Sequence, residues 1–434
     1  MIATMRVRAT ALFVVLIAAL VASTVPASAA PQTVAPLGDR FLFGVSSSGF
    51  QSEGSAPDSN WSRYAASGTA KDPYLNSVDF FNRASSDIEL AKDLGVGVYR
   101  LTIEWARVQP RPGVWVESDF AFYDSVIRQI RDAGMRPMIT LDHWVYPGWE
   151  VDRGGWRNPQ MVSDWLANMR RVVDRYKQFD PLWVTINEPT AYVGQELATG
   201  GLGPLDVPTM FDRLVQAHNG IYDYIHTVMP GALVTSNVAH IPGGAEPVIA
   251  TQFVDRVKLD YVGIDFYYGA SLTNPPSLDP LIGTHWDATI EPEGIYYALR
   301  YYARKYPTLP LYIVENGMPT DNGKPRRDGY QRADHLRDIV YWLQRAKADG
   351  IDVIGYNYWS LTDNYEWGSY APRFGIYTVD VETDPTLTRK PTDAVPAYRE
   401  ITRNGGVPAG YRPTRAPGLC LIIAPPASCL EPVR

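Results

Sequence analysis

The residues best placed to do chemistry are two glutamates. Glu188 lies in Thr185-Ile186-Asn187-Glu188-Pro189, and Glu315 in Ile313-Val314-Glu315-Asn316-Gly317. Each closes a short apolar, β-rich run, where a strand gives way to a loop. Two carboxyls across one cavity are the equipment of glycosidic-bond hydrolysis: one attacks the anomeric carbon, and the other protonates the leaving oxygen and then activates water. An isolated strand-end Glu reads first as a structural ion pair. Two of them, with Asn187 beside one and Arg100 on another run, shift the reading toward catalysis.

The elements that must position them recur regularly. Eight β-rich runs occupy Phe41–Ser46, Val98–Ile103, Arg136–His143, Leu182–Glu188, Ala232–Ala239, Tyr261–Tyr268, Leu311–Glu315 and Val353–Trp359. Helical periodicity fills stretches between them, at Phe80–Leu94, Phe120–Ala133 and His335–Ala348. Strand alternating with helix eight times implies parallel strands with right-handed crossovers. Eight such units close into an α/β, (β/α)8 TIM barrel, here a single domain over residues 37–404. A doubly wound sheet would carry a Gly-rich phosphate-binding turn after an early strand. The first run instead leads into Gln51-Ser52-Glu53-Gly54. Barrels build their sites at the C-terminal strand ends. Those ends are polar here: Leu141-Asp142-His143-Trp144 closes the third, and Trp359 leads through Asp363-Asn364-Tyr365-Glu366-Trp367 after the eighth.

Composition bounds the partners. The 434 residues carry a net charge of −7 and no long Lys/Arg run, which excludes nucleic acid and anionic membranes as main partners. The 12 Trp and 27 Tyr suit stacking against sugar rings, although composition alone favours ordinary core packing. Residues 1–29 read as a signal peptide, with Arg6 and Arg8, an apolar Ala11–Ala22 stretch and an Ala27-Ser28-Ala29 cleavage site. The expected mature protein is secreted and holds no membrane segment after cleavage. From residue 405 to 434 the chain is a Pro/Gly-rich tail carrying the only cysteines, Cys420 and Cys429, which are expected to pair in an oxidising compartment. The six His are scattered and no Cys/His cluster has metal-ligand spacing, so no metal or other cofactor is expected. Asn60 begins an Asn-x-Ser sequon.

At these residues the chain resembles glycoside hydrolase family 1, the β-glucosidase family, from about Phe41 to Ala397. The resemblance rests on Phe41-Leu42-Phe43-Gly44 through Gln51-Ser52-Glu53-Gly54, on Thr185 to Pro189, on Val314 to Gly317, on Trp359 to Trp367, and on Phe374 to Asp380 with Arg389-Lys390-Pro391. It implies a retaining β-glycosidase acting on a small or oligosaccharide β-glycoside, with Glu188 as acid/base and Glu315 as nucleophile. Arg100 and Tyr267 would flank Glu315, and Asn187 would bond the sugar 2-hydroxyl. Gln51, His143, Trp359, Glu366 and Trp367 would hold the non-reducing sugar. Acidic Glu366, with Pro372 near the Lys that phospho-sugar enzymes carry, implies an unphosphorylated glycone. The family usually ends its sixth strand in Asn-Tyr-Tyr, whereas this chain has Asp265-Phe266-Tyr267. An ionised Asp265 would oppose ionisation of Glu188 and Glu315, unless an Arg or His pairs with it. The competing readings are a catalytically idle sugar-binding barrel and a related barrel with endo or transglycosylating activity.

Overall fold

The computed structural model describes residues 33–241, 250–269 and 283–416. The signal-peptide stretch and both cysteines lie outside the described residues.

The barrel strands are β1 (Leu42–Ser46), β2 (Val98–Thr102), β3 (Arg136–Asp142), β4 (Leu182–Ile186), β5 (Leu233–Thr235), β6 (Val238–Ala239), β7 (Val262–Asp265), β8 (Leu311–Glu315) and, after a two-residue β9 (Thr320–Asp321), β10 (Val353–Trp359). All barrel pairings are parallel, and the order runs β5-β4-β3-β2-β1-β10-β8-β7-β6. The order begins at β5 and ends at β6, and these are one stretch of chain interrupted at Ser236-Asn237. The sheet therefore closes on itself as a (β/α)8 barrel.

Two apolar layers hold it. Val98, Met138, Leu182, Val184, Tyr261, Tyr312 and Val314 form a cluster among the strands. A far larger cluster joins the strands to the surrounding helices. The helix Met161–Tyr176 shows why such segments are helical: its buried Met161, Trp165, Met169, Val172, Val173 and Tyr176 recur at three- and four-residue steps and form one apolar stripe. The helix Phe80–Asp93 is tied to the C-terminal block by the buried ion pair of Asp87 with Arg389, Oδ1 to Nε at 2.8 Å. Val34 and Leu37 are buried, and their amides bond to the carbonyls of Ala409 and Gly405, so the segments on either side of the expected 37–404 boundaries pack together.

The expected runs differ from the strands at the functional ends. The fourth strand stops at Ile186 instead of Glu188, and the sixth run is a strand only over Val262–Asp265. The fifth breaks in two, because Ser236 and Asn237 turn their side chains to neighbouring strand ends: Ser236 Oγ donates to Ile186 O at 2.6 Å. Two helices begin three residues before the expected stretches, at Glu117 and Arg332. At Glu117 the added turn is polar, whereas Ala333 in the second already joins the core.

Two local features aim Glu315. The register of β7 and β8 slips, so that Ile264 faces Ile313 but Asp265 faces Glu315. Such an irregularity re-aims a side chain at a barrel rim. Beyond it, Gly317 passes so close to Trp359 that a Cβ there would collide with the Trp359 carbonyl oxygen. Gly317→Ala is therefore expected to destabilise the fold by about 1–3 kcal/mol and to displace the β8–β10 junction. Thermal unfolding and activity measured on the same variant check this, and an unchanged melting temperature with full activity contradicts it.

Candidate active site

Arg100 is the centre of the site. It is fully buried in the middle of β2. Its Nη1 pairs with Glu315 Oε1, its Nη2 donates to Asn187 Oδ1 at 2.6 Å, and its Nε donates to Thr140 Oγ1 at 2.8 Å. One guanidinium thus joins β2, β3, β4 and β8. Tyr267 donates its hydroxyl to Glu315 Oε2 at 2.7 Å. Both carboxylate oxygens of Glu315 thus have a donor, Arg100 on one and Tyr267 on the other.

Glu188 takes the opposite setting. It follows β4 with φ of 37°, in the left-handed region, as the cap residue before the helix Pro189–Thr199. That conformation is costly for a side-chain-bearing residue. It is held by the Glu188 amide bonding to Asn237 O at 3.1 Å and by Tyr192 N bonding to the Glu188 carbonyl at 2.9 Å. Pro189 suits the first helical position, where its fixed φ fits and no amide is needed. Burial pushes the Glu188 carboxyl up to about 8, helped by the charge of Glu315 and opposed by Arg100. Oxygens of Glu188, Glu315 and Asp265 all lie within 4.8 Å of one another.

Asp265 is neither ion-paired to an Arg nor bonded to a His by its side chain. Its Oδ2 accepts from Asn237 Nδ2, whose other contact is Asn187 Oδ1 at 2.6 Å. Burial first, and the charges of Glu315 and Glu188 next, raise Asp265 well above the usual carboxyl range.

The expected sugar-binding residues converge as a second cluster. Gln51 Nε2 and Trp359 Nε1 donate to the two oxygens of Glu366 at 2.9 and 3.1 Å. Burial and Glu315 push Glu366 up to about 7, against those hydrogen bonds. His143 stacks near Trp359, with ring centroids 5.8 Å apart, and its Nε2 is 3.3 Å from Asn187 Nδ2. Because Asn187 Oδ1 accepts from Arg100, its amide nitrogen is the donor and His143 Nε2 the acceptor. Burial and Arg100 hold His143 well below its ordinary value, so the ring is neutral. Trp367 is 39% exposed at the rim and meets Trp144 edge-on at 4.9 Å.

Of the site residues expected from the sequence, all except Arg100 and Asn187 line one cavity of about 540 Å³. Beyond Glu188 its wall is formed by Val145 and by Thr190, Ala191, Gly194, Gln195 and Ala198 of the helix Pro189–Thr199. Glu53 faces away, paired to Arg107 at 2.8 Å and bonded by Tyr123, and is structural. Asn60, the sequon residue, spends its side chain inward on Trp144 O and on Tyr146 N. Sequence reasoning did not find Asn237 or Thr140. The signal for Asn237 was a polar Ser-Asn pair inside an otherwise apolar run; Thr140 had none, since a strand Thr is ordinary.

The arrangement sets two carboxyls in unlike surroundings, Glu315 bound by Arg100 and Tyr267 and Glu188 raised by burial, on the wall of one cavity. The family model described as glycosyl hydrolase family 1 matches residues 34–239 and 270–407. The chain belongs to that family. Family 1 relatives include beta-glucosidase A of Thermotoga maritima, 28% identical over 85% of this chain and 98% of its own length. The galactolipid galactosyltransferase SFR2 of Arabidopsis thaliana is 28% identical over 76% of this chain and 58% of that protein. Among solved structures, the beta-glycosidase from Pyrococcus horikoshii superposes with a TM-score of 0.74 at 26% identity, covering 86% of this chain and 96% of that one. As a family 1 chain it is a glycosidase with a TIM-barrel fold.

A pH dependence follows from Glu188. With Glu188 as the general acid expected from the sequence, kcat/KM is expected to fall as pH rises through about 8. A pH–rate profile checks this; a basic limb that begins below pH 6 contradicts the assignment of that proton to buried Glu188.

Proposed function

We propose that the protein is a retaining exo-β-glycosidase that removes terminal, unphosphorylated β-glycosyl residues by double displacement. The observation that carries the reading is the spacing of Glu188 and Glu315: an oxygen of one lies within 4.8 Å of an oxygen of the other, close to the retaining arrangement and short of the gap that seats a water between a basic carboxylate and the anomeric carbon. Retaining glycosidases hold their carboxyls about 5–5.5 Å apart, inverting ones roughly 6.5–9.5 Å. Glu315, bound by Arg100 and Tyr267, attacks the anomeric carbon. Glu188 gives its proton to the leaving oxygen. Once Glu315 is esterified its charge is gone, the main electrostatic reason for Glu188 to stay protonated weakens, and Glu188 accepts a proton from the attacking water. Asn187 bonds the 2-hydroxyl, while Gln51, His143, Trp359, Glu366 and Trp367 hold the terminal sugar.

The Gln51–Glu366–Trp359 cluster supports exo action, because it sets paired polar groups at one end of the cavity. An idle binding barrel would have no use for a strained, protonated Glu188 facing an Arg-bound Glu315. The N-terminal 1–29 stretch supports secretion, a reading that rests on the sequence alone.

Glu315→Ala is expected to lose turnover by several orders of magnitude. Azide should restore part of it and yield the α-glycosyl azide, read by product NMR; near-normal activity without azide would overturn the nucleophile assignment. A second expectation concerns the leaving-group side. A Cβ at Gly194 meets nothing within 4 Å, so a larger side chain there projects into free space. Gly194→Leu should raise KM for aryl β-glycosides several-fold without lowering the melting temperature, since replacing a helix-interior Gly gains up to about 1 kcal/mol. An unchanged KM would place the aglycone elsewhere.

A further inference from the structure

We propose that Asp265 keeps a proton throughout the cycle and donates it in a hydrogen bond to Glu188, so that the two carboxyls act as one acid unit with Asp265 as the positioning member. The inference rests on the reading of Glu188 as acid/base.

The donor pattern leads to it. Arg100 Nη2 donates to Asn187 Oδ1, which fixes that atom as an acceptor. Asn237 shares the same acceptor, so it must present its amide nitrogen, and the same nitrogen then donates to Asp265 Oδ2. Asp265 Oδ1 is left buried with no partner. An ionised carboxylate with one oxygen buried and unpartnered pays the full desolvation cost of that atom. Oxygens of Glu188 and Glu315 lie within 4.8 Å. Glu315 already accepts from Arg100 and Tyr267 on its two oxygens. Glu188 is therefore the acceptor left for a hydroxyl on Asp265 Oδ1.

The charges agree. Asp265 is faced by Glu188 beyond β4, Glu315 on β8, Arg100 on β2, Asn237 between β5 and β6, and Tyr267 beyond its own strand. His143 and His240, which line the same cavity, are held neutral by burial. Arg100 is the one cation in this set, and its donors are taken by Glu315, Asn187 and Thr140. Two further buried anions beside it would be uncompensated. Burial and the two glutamates accordingly raise Asp265 well above its ordinary value.

The chemistry balances without a co-reactant. Glu188 passes its proton to the leaving oxygen as the glycosidic bond breaks and Glu315 bonds the anomeric carbon. The new Glu188 carboxylate is met by the Asp265 hydroxyl. In the second step water bonds the anomeric carbon, the Glu315 ester breaks with its electron pair returning to Glu315, and the water proton goes to Glu188. Asp265 ends as it began. A carboxylic acid here does the donor work that an amide would do.

Two variants test this. Asp265→Asn keeps a neutral donor, and Asp265→Leu removes it. Asp265→Asn should leave the acidic limb of kcat/KM in place, keep the wild-type dependence on leaving group, and lose a protonated-carboxyl stretching band present in the wild type at neutral pH. Asp265→Leu should lower turnover of alkyl glycosides on the order of tenfold more than that of 2,4-dinitrophenyl glycosides, because only the poor leaving group needs a strong acid. An acidic limb displaced to lower pH in Asp265→Asn, with no band lost, would show an ionised Asp265 and overturn the proposal. So would equal losses on both substrate types in Asp265→Leu. If Asp265→Leu does not fold, the Asp265→Asn profile and spectrum still decide. Glu188→Gln separates the underlying reading: should it spare alkyl glycosides, Glu188 is not the acid, whatever the band at Asp265 does.

Discussion

A fully buried guanidinium needs a reason to be there, and Arg100 sets the terms for everything around it. Removing such a charge from water costs several kcal/mol, recovered only when every donor is matched. Here each of the three nitrogens has a partner, in Glu315, Asn187 and Thr140, so burying Arg100 also ties four strands to one another. The same charge adds to burial in keeping His143 neutral and opposes the rise that burial causes in Glu188 and Asp265. Three carboxyls around one cation cannot all be charged in so dry a space. In the proposed mechanism the one in direct contact with the cation attacks, and those further off hold protons. Two kinds of carboxyl, with opposite tasks, thus follow from a single ion.

The barrel around this centre is built to hold strand ends in place. Glu188 leaves its strand through a left-handed backbone turn clamped from both sides, and Glu315 leaves through a register slip followed by a glycine that admits the Trp359 carbonyl. Both departures from regular structure occur at the reacting groups. Strain at such points is tolerated when the surroundings over-determine the geometry, as the hydrogen bonds of Asn237 and Tyr192 to the Glu188 backbone do here.

Much of this was legible in the sequence because parallel barrel strands are buried on both faces and read as short apolar runs. Leu311–Glu315 and Val353–Trp359 are strands over the whole of the expected spans. The runs failed where function intervenes. Asn187 and Glu188 continue the pattern of β4 but belong to the turn after it, and Ser236-Asn237 interrupts a run that looks continuous. Side-chain pairing is the other blind spot. The type of Asp265 and its departure from the family were plain, yet its partner was expected to be a cation or nothing. Its partner is the amide of Asn237, which no periodicity could place beside it.

The central claim is that Glu315 becomes covalently glycosylated. Its most direct test is the mass of the protein after incubation with an activated 2-deoxy-2-fluoro-β-glycoside of a sugar it turns over, a substrate that forms the intermediate faster than it hydrolyses it. The account predicts inactivation with a mass gain of one fluoroglycosyl unit, located by peptide mapping on Glu315. A label on Glu188 or Asp265, or an enzyme that turns over the parent glycoside yet shows no adduct and releases the inverted sugar, would contradict it.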